Sequence, residues 1–151
     1  MINALNTVAS GPGRGPSAHV KALLDAGADL EFKDEFGGSI LHKAAMNHYL
    51  KPNLHIPMLL TAGADVTARN QFGSTPLHMA AQYGSVREVQ ALLAGGADVM
   101  ARDQYGGAPL HKAADCNYDC MPGVIQALLA AGADAKAKNK EGKSPWDLAQ
   151  E

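Results

Sequence analysis

The stretch Gly73–Val99, GSTPLHMAAQYGSVREVQALLAGGADV, decides the fold. Thr75 is an N-cap residue type, and Pro76 suits the first helical position, where a missing N–H costs nothing. Leu77, Ala80 and Ala81 lay a narrow apolar stripe on a short helix, and Gly84 is placed to end it. Ser85-Val86-Arg87-Glu88 reads as a capping box that opens a second helix. Val86, Val89, Leu92 and Leu93 recur at helical spacing and form its expected buried face. Gly95-Gly96 stops that helix, and Ala97-Asp98-Val99 leads onward. Two short helices cannot bury these faces alone, whereas stacked copies can.

Copies stand on both sides. Units start at Asp34, Asn70, Asp103 and Asn139, at intervals of 36, 33 and 36 residues. The extra residues can be located. From the second alanine of the Ala-Ala pair to the first leucine of the Leu-Leu pair, Ala81 to Leu92 spans 11 positions, whereas Ala45 to Leu59 and Ala114 to Leu128 each span 14. The longer units therefore expand the turn between their two helices. Leu5, Val8 and Ala9 with Leu23-Leu24 fit the same frame, again 14 positions from Ala9 to Leu23, with Asn6 where later units carry histidine. Ser144-Pro145-Trp146-Asp147-Leu148-Ala149 opens one more first helix. The expected division is an N-terminal partial or capping unit at 1–33, units at 34–69, 70–102 and 103–138, and a partial C-terminal cap at 139–151.

The inserted turns are Ser10–Ser17, Asn47–Pro57 and Asp115–Gly123. Pro57 and Pro122 lack an N–H and must sit near the start of a second helix, and Pro57 is expected to shorten its own. Loop growth at a solvent edge accounts for these insertions. A second contact edge is the functional alternative.

TPLHMAA (Thr75–Ala81) followed by LLAGGADV (Leu92–Val99) resembles the ankyrin repeat, whose usual period is about 33 residues. The resemblance implies one all-α domain over 1–151, a helical solenoid of helix-turn-helix units joined by hairpin loops. It also implies a protein–protein interaction module that binds a partner on a concave surface of hairpin tips and first helices. The residues before the tip glycines are Phe36, Phe72, Tyr105 and then Glu141, an aromatic column. Ahead of the unit starts stand Lys33, Arg69, Arg102 and Lys138, a basic column. Aromatic and arginine side chains are the types that carry binding energy at interfaces. Met46-Asn47, Gln82-Tyr83 and Asp115-Cys116 follow the Ala-Ala pairs, face the same groove by the resemblance, and vary between units. The candidate contact set is thus Lys33, Phe36, Met46, Asn47, Arg69, Phe72, Gln82, Tyr83, Arg102, Tyr105 and Asp115. The basic column favours an acidic partner segment. Glu31, Thr67, Met100 and Lys136 stand where some ankyrin hairpins carry the asparagine that is hydroxylated, so that modification is not implied.

Other chemistry finds little support. His42, His78 and His111 recur at one motif position, and the resemblance assigns each a structural hydrogen bond to the preceding turn. Stacking sets such residues about 10 Å apart, while zinc ligands must lie about 2 Å from one ion, so no metal site is expected. Cys116 and Cys120 lack a third and fourth ligand and do not make a disulfide framework, which suits free thiols in a reducing compartment. Five residues separate His111 from Cys116, which turns the two side chains roughly 140° apart on a helix and disfavours a nucleophile pair. Asp29, Asp65, Asp98 and Asp134 recur in G-A-D, where a short acidic side chain bonds its own backbone.

The composition is that of a folded chain: 46% hydrophobic, 19% charged and 5% aromatic. A net charge of −2, with 15 acidic residues against the basic column, gives no case for nucleic acid or an anionic membrane. No apolar run reaches the roughly 20 residues of a spanning helix. MINALNTVASGPGRGP lacks the basic and apolar regions of a secretory leader, so a cytoplasmic chain is expected. No cofactor, catalytic residue or small-molecule substrate is expected. The rival readings are a scaffolding fragment of a larger repeat array and, further off, an enzyme.

Overall fold

The computed structural model describes residues 21–22, 24–46, 55–83, 85–115 and 122–150, and among these its regular structure is helical with no strand. The helices come in pairs: α1 (Ile40–Ala45) with α2 (His55–Thr61), α3 (Pro76–Tyr83) with α4 (Val86–Ala94), and α5 (Pro109–Ala114) with α6 (Pro122–Ala130). A single turn, α7 (Pro145–Leu148), follows. First helices pack on first helices, in the order α1, α3, α5, α7, and second helices on second helices, in the order α2, α4, α6. The expected all-α solenoid is the observed architecture. The N-terminal partial unit falls largely outside the described residues, as do Gly84, Asn47, both cysteines and most of the inserted turns.

The core is one continuous layer between the two rows of helices. Leu41, Leu77 and Leu110 fill it from the first row, and Ile56, Leu59, Val89, Leu92, Val124 and Leu128 from the second. Leu93, expected in this buried face, is only half-buried, and so is Val86. The stripe of α4 is centred on Val89 and Leu92, and the next residue along a helix turns about 100° away from it. Val86 instead leans on the following unit. A side chain at Gly123 would meet Val86 Cγ2 at 2.6 Å, and one at Gly95 would meet Leu60 Cδ1 at 2.4 Å. Pro57 is the third residue of α2, which runs for 7 residues against 9 in α4. Pro122 opens α6, which keeps its 9 residues because a proline at the first position breaks no intrahelical bond.

The capping differs from expectation at the first helices. Thr75 does not cap α3 by itself. Its N–H donates to His78 Nδ1 at 3.1 Å, and its hydroxyl lies 2.9 Å from the same nitrogen. Ser39 with His42 and Ala108 with His111 repeat the 3.1 Å N–H contact. The histidine thus takes the part that Glu88 plays at α4, where its carboxylate accepts the Ser85 N–H at 2.9 Å and pairs with the Ser85 hydroxyl. At α7, Asp147 stands in the histidine position and accepts from the Ser144 N–H at 2.8 Å and the Ser144 hydroxyl at 2.7 Å.

The expected bond to the preceding turn is therefore present, and a second one reaches the next unit. His42 Nε2 lies 2.8 Å from the Ser74 carbonyl, and His78 Nε2 lies 3.0 Å from the Gly107 carbonyl. Because Nδ1 accepts a backbone N–H, the ring proton sits on Nε2 and donates forward. His111 Nε2 is buried without a hydrogen bond of ordinary geometry. Burial pushes His78 from the usual 6.5 down to about 4, and lowers His42 and His111 as well.

Candidate binding surface

Each hairpin loop is built by one short polar side chain. Asp34, Asn70, Asp103 and Asn139 each accept two backbone N–H bonds across their own tip; for Asn70 these are Phe72 at 2.9 Å and Ser74 at 3.0 Å. The glycine after each tip residue turns the chain back, with Gly73 at φ 70°. The carbonyl of each aromatic tip then accepts the N–H of the next hairpin. Phe36 takes Gln71, Phe72 takes Gln104 and Tyr105 takes Lys140, each at 3.0 Å. One backbone bond thereby links each aromatic tip to the hairpin that follows.

Their rings stay out of the core. Phe36 is 50% exposed, Phe72 41% and Tyr105 56%, while Met46 and Tyr83, at the ends of α1 and α3, are each 44% exposed. Gln82 is half-buried within α3, and Asp115 is exposed just past α5. Asn47 lies outside the described residues.

The basic column behaves differently from a row of free charges. Arg69 Nη1 donates to the Gly73 carbonyl at 2.8 Å and the Arg102 carbonyl at 2.6 Å. Arg102 Nη1 donates to Gly106 at 2.6 Å and Lys138 at 2.8 Å. Lys138 pairs with Asp147 at 2.9 Å, and that ammonium with the Ser144 donors holds Asp147 well below the ordinary carboxylate range. Lys33 is exposed and makes no hydrogen bond or ion pair among the described residues.

Sequence reasoning missed two further pairs. Lys43 meets Asp34 at 3.0 Å and Lys112 meets Asp103 at 3.1 Å, and Lys112 also sits 5.6 Å from the centre of the Tyr105 ring. Burial works to raise the pKa of Asp103, but the Gly107 N–H and the Lys112 ammonium outweigh it and leave it below the ordinary value. The signal was available: aspartate at a unit start goes with lysine nine residues on, whereas Asn70 and Asn139 go with Met79 and Leu148.

The GAD aspartates serve the turns. Asp29, Asp65, Asp98 and Asp134 each accept the N–H two residues on, at 2.8 Å. Among the described residues no three His, Cys, Asp or Glu side chains converge on a possible metal position.

No curated protein matches the chain. A family model described as ankyrin repeats, in three copies, matches residues 51–139, more than half of the sequence. With that match laid over stacked helix pairs, fixed tip loops and histidine bridges, the chain belongs to the ankyrin-repeat family.

Proposed function

We propose that this chain recognises a partner protein segment through its aromatic hairpin tips and its first helices. Ankyrin repeats are generally protein–protein interaction modules and typically non-enzymatic. The observation that carries the assignment to this surface is the distribution of exposed apolar side chains. Seven large ones are exposed among the described residues, and five of them are Phe36, Met46, Phe72, Tyr83 and Tyr105. Three of these stand on successive hairpin tips linked by backbone bonds and two at the C-terminal ends of neighbouring first helices, and exposed apolar residues that recur in this way mark an interaction site. Lys33, Arg69 and Arg102 add positive charge beside the tips; Arg69 and Arg102 bind neutral carbonyls and so keep theirs, which favours an acidic partner segment.

Capture of the partner from the native host, followed by titration calorimetry, tests the surface. Phe72→Ala and Tyr105→Ala should each weaken binding by about 2 kcal/mol, roughly thirtyfold. Parent-like binding by both, with loss on altering residues 47–57 or 115–123, would move the contact edge to the inserted turns.

A second reading has its own observation. Trp146 is 69% exposed although Leu41, Leu77 and Leu110, at the equivalent position, are buried, and Leu129 is 42% exposed. An array whose last face stacks on a neighbouring helix pair would use them. Sedimentation at rising concentration tests self-stacking, which Trp146→Gln should abolish.

A further inference from the structure

Arg69 and Arg102 repeat one geometry a unit apart. One guanidinium nitrogen reaches the glycine carbonyl just after an aromatic tip and, with a second bond, the carbonyl at the root of the next hairpin. For Arg69 the first point adjoins Phe72 and the second leads into the loop that carries Tyr105. A planar guanidinium directs its donors rigidly, whereas a lysine ammonium is a point charge on a flexible stem. The chain contains its own comparison. Lys33 holds the equivalent position at the first junction and makes no such bridge among the described residues. There a cavity of about 310 Å³ opens between neighbouring hairpin arms, lined by Leu30, Lys33, Ser39, Ile40, Ala64 and Thr67 among others.

We propose that Arg69 and Arg102 are positioning residues for the contact surface: each guanidinium clamps one hairpin to the next, setting the Phe72 and Tyr105 tips at a fixed spacing, while Lys33 leaves the Phe36 tip unclamped. The proposal rests on the reading of the aromatic tips as the contact surface. It changes the part of the two arginines, each of which spends one guanidinium nitrogen on bonds inside the protein. A partner meets two preset rings and a third that adjusts, and a preset surface loses less ordering entropy on binding.

Amide hydrogen exchange on the whole chain tests the clamp directly, using Arg69→Lys, Arg69→Gln and Lys33→Arg. The Gln104 amide, bonded to the Phe72 carbonyl, should exchange faster in both Arg69 variants, on the order of fivefold relative to the Lys140 amide one junction away. Lys33→Arg should slow the Gln71 amide by a similar factor. General destabilisation would instead speed the Gln104 and Lys140 amides alike, and that result overturns the proposal. The binding arm uses as its probe a peptide selected by phage display against the parent chain and shown to need Phe72 and Tyr105. Arg69→Lys should weaken that peptide on the order of fivefold although it keeps the charge, and Arg69→Gln at least as much. If Arg69→Lys binds like the parent while Arg69→Gln does not, charge rather than clamping is at work and the proposal fails. If no selected peptide depends on either ring, the surface reading fails, and the exchange result still decides the clamp.

Discussion

The Nε2 of His78 lies 3.0 Å from the carbonyl oxygen of Gly107, so one buried ring bridges two units of the stack. A proton added to its Nδ1 would face the Thr75 N–H, which that nitrogen now accepts. Burial therefore lowers the pKa from 6.5 to about 4. The unfolded chain takes up the proton first as pH falls, so this contribution is complete above the unfolded value and is lost progressively between pH 6.5 and about 4. Stability should drop by on the order of 3 kcal/mol across that window from His78 alone, with His42 and His111 adding in the same direction. Urea midpoints at a series of pH values measure it. A His78→Gln variant should be less stable near neutrality and show a flatter acid limb, and an unchanged limb would refute the assignment.

Leu77 and Leu92 are fully buried, whereas Phe72 is 41% exposed. Leu77→Ala or Leu92→Ala should cost about 2–5 kcal/mol. Phe72→Ala should stay near 0.5 kcal/mol, as surface changes do. Leu93→Ala should fall between them, because that side chain is half-buried at the edge of the stripe. Urea melts of the four variants rank them, and a Phe72→Ala loss equal to that of Leu77→Ala would make the tip ring a packing residue.

The side chain of Asp103 is 1% exposed and depends on Lys112 at 3.1 Å. Lys112→Met removes the counter-charge but leaves the Tyr105 and Gly107 N–H donors on the carboxylate, and should cost about 1–3 kcal/mol. Asp103→Asn retains the acceptor for the loop N–H groups, as Asn70 shows, and should cost less. The double variant reproduces the Asn70 and Met79 pairing of the neighbouring unit and should recover most of the Lys112→Met loss. A double-mutant cycle should give a coupling of about 1 kcal/mol or more; strict additivity would show the pair to be idle.

Gly73 and Gly96 both have positive φ, at 70° and 90°, but their surroundings differ. A Cβ at Gly73 would come within 3.0 Å of the Gln104 nitrogen, and one at Gly96 would meet nothing within 4 Å. Gly96→Ala should cost about 1 kcal/mol from backbone strain alone. Gly73→Ala should cost more, because the contact is with backbone of the next hairpin and pushes apart the Phe72–Gln104 bond. Thermal melts of the two variants test the order.

Periodicity, capping residues and turn glycines determined the helix pairs, their succession and the identity of most core residues. Each follows from a local rule, and the same rule recurs down the chain. Leu77, Ala80 and Ala81 were legible as buried because a short helix has one stripe to hide. The turn role of the GAD aspartates was legible because an acceptor of that length bonds the N–H two residues on. The aromatic tips could be named from sequence as a column, since they precede the turn glycines. What Arg69 and Arg102 do could not. Their partners lie 33 and 36 residues away in sequence and are backbone carbonyls, which carry no side-chain signature. The forward reach of His42 and His78, the edge position of Leu93 and the exposure of Trp146 were likewise decided only by stacking. In a solenoid each unit supplies half of every interface, so long-range pairing is set by how neighbours register and not by any one unit's own pattern.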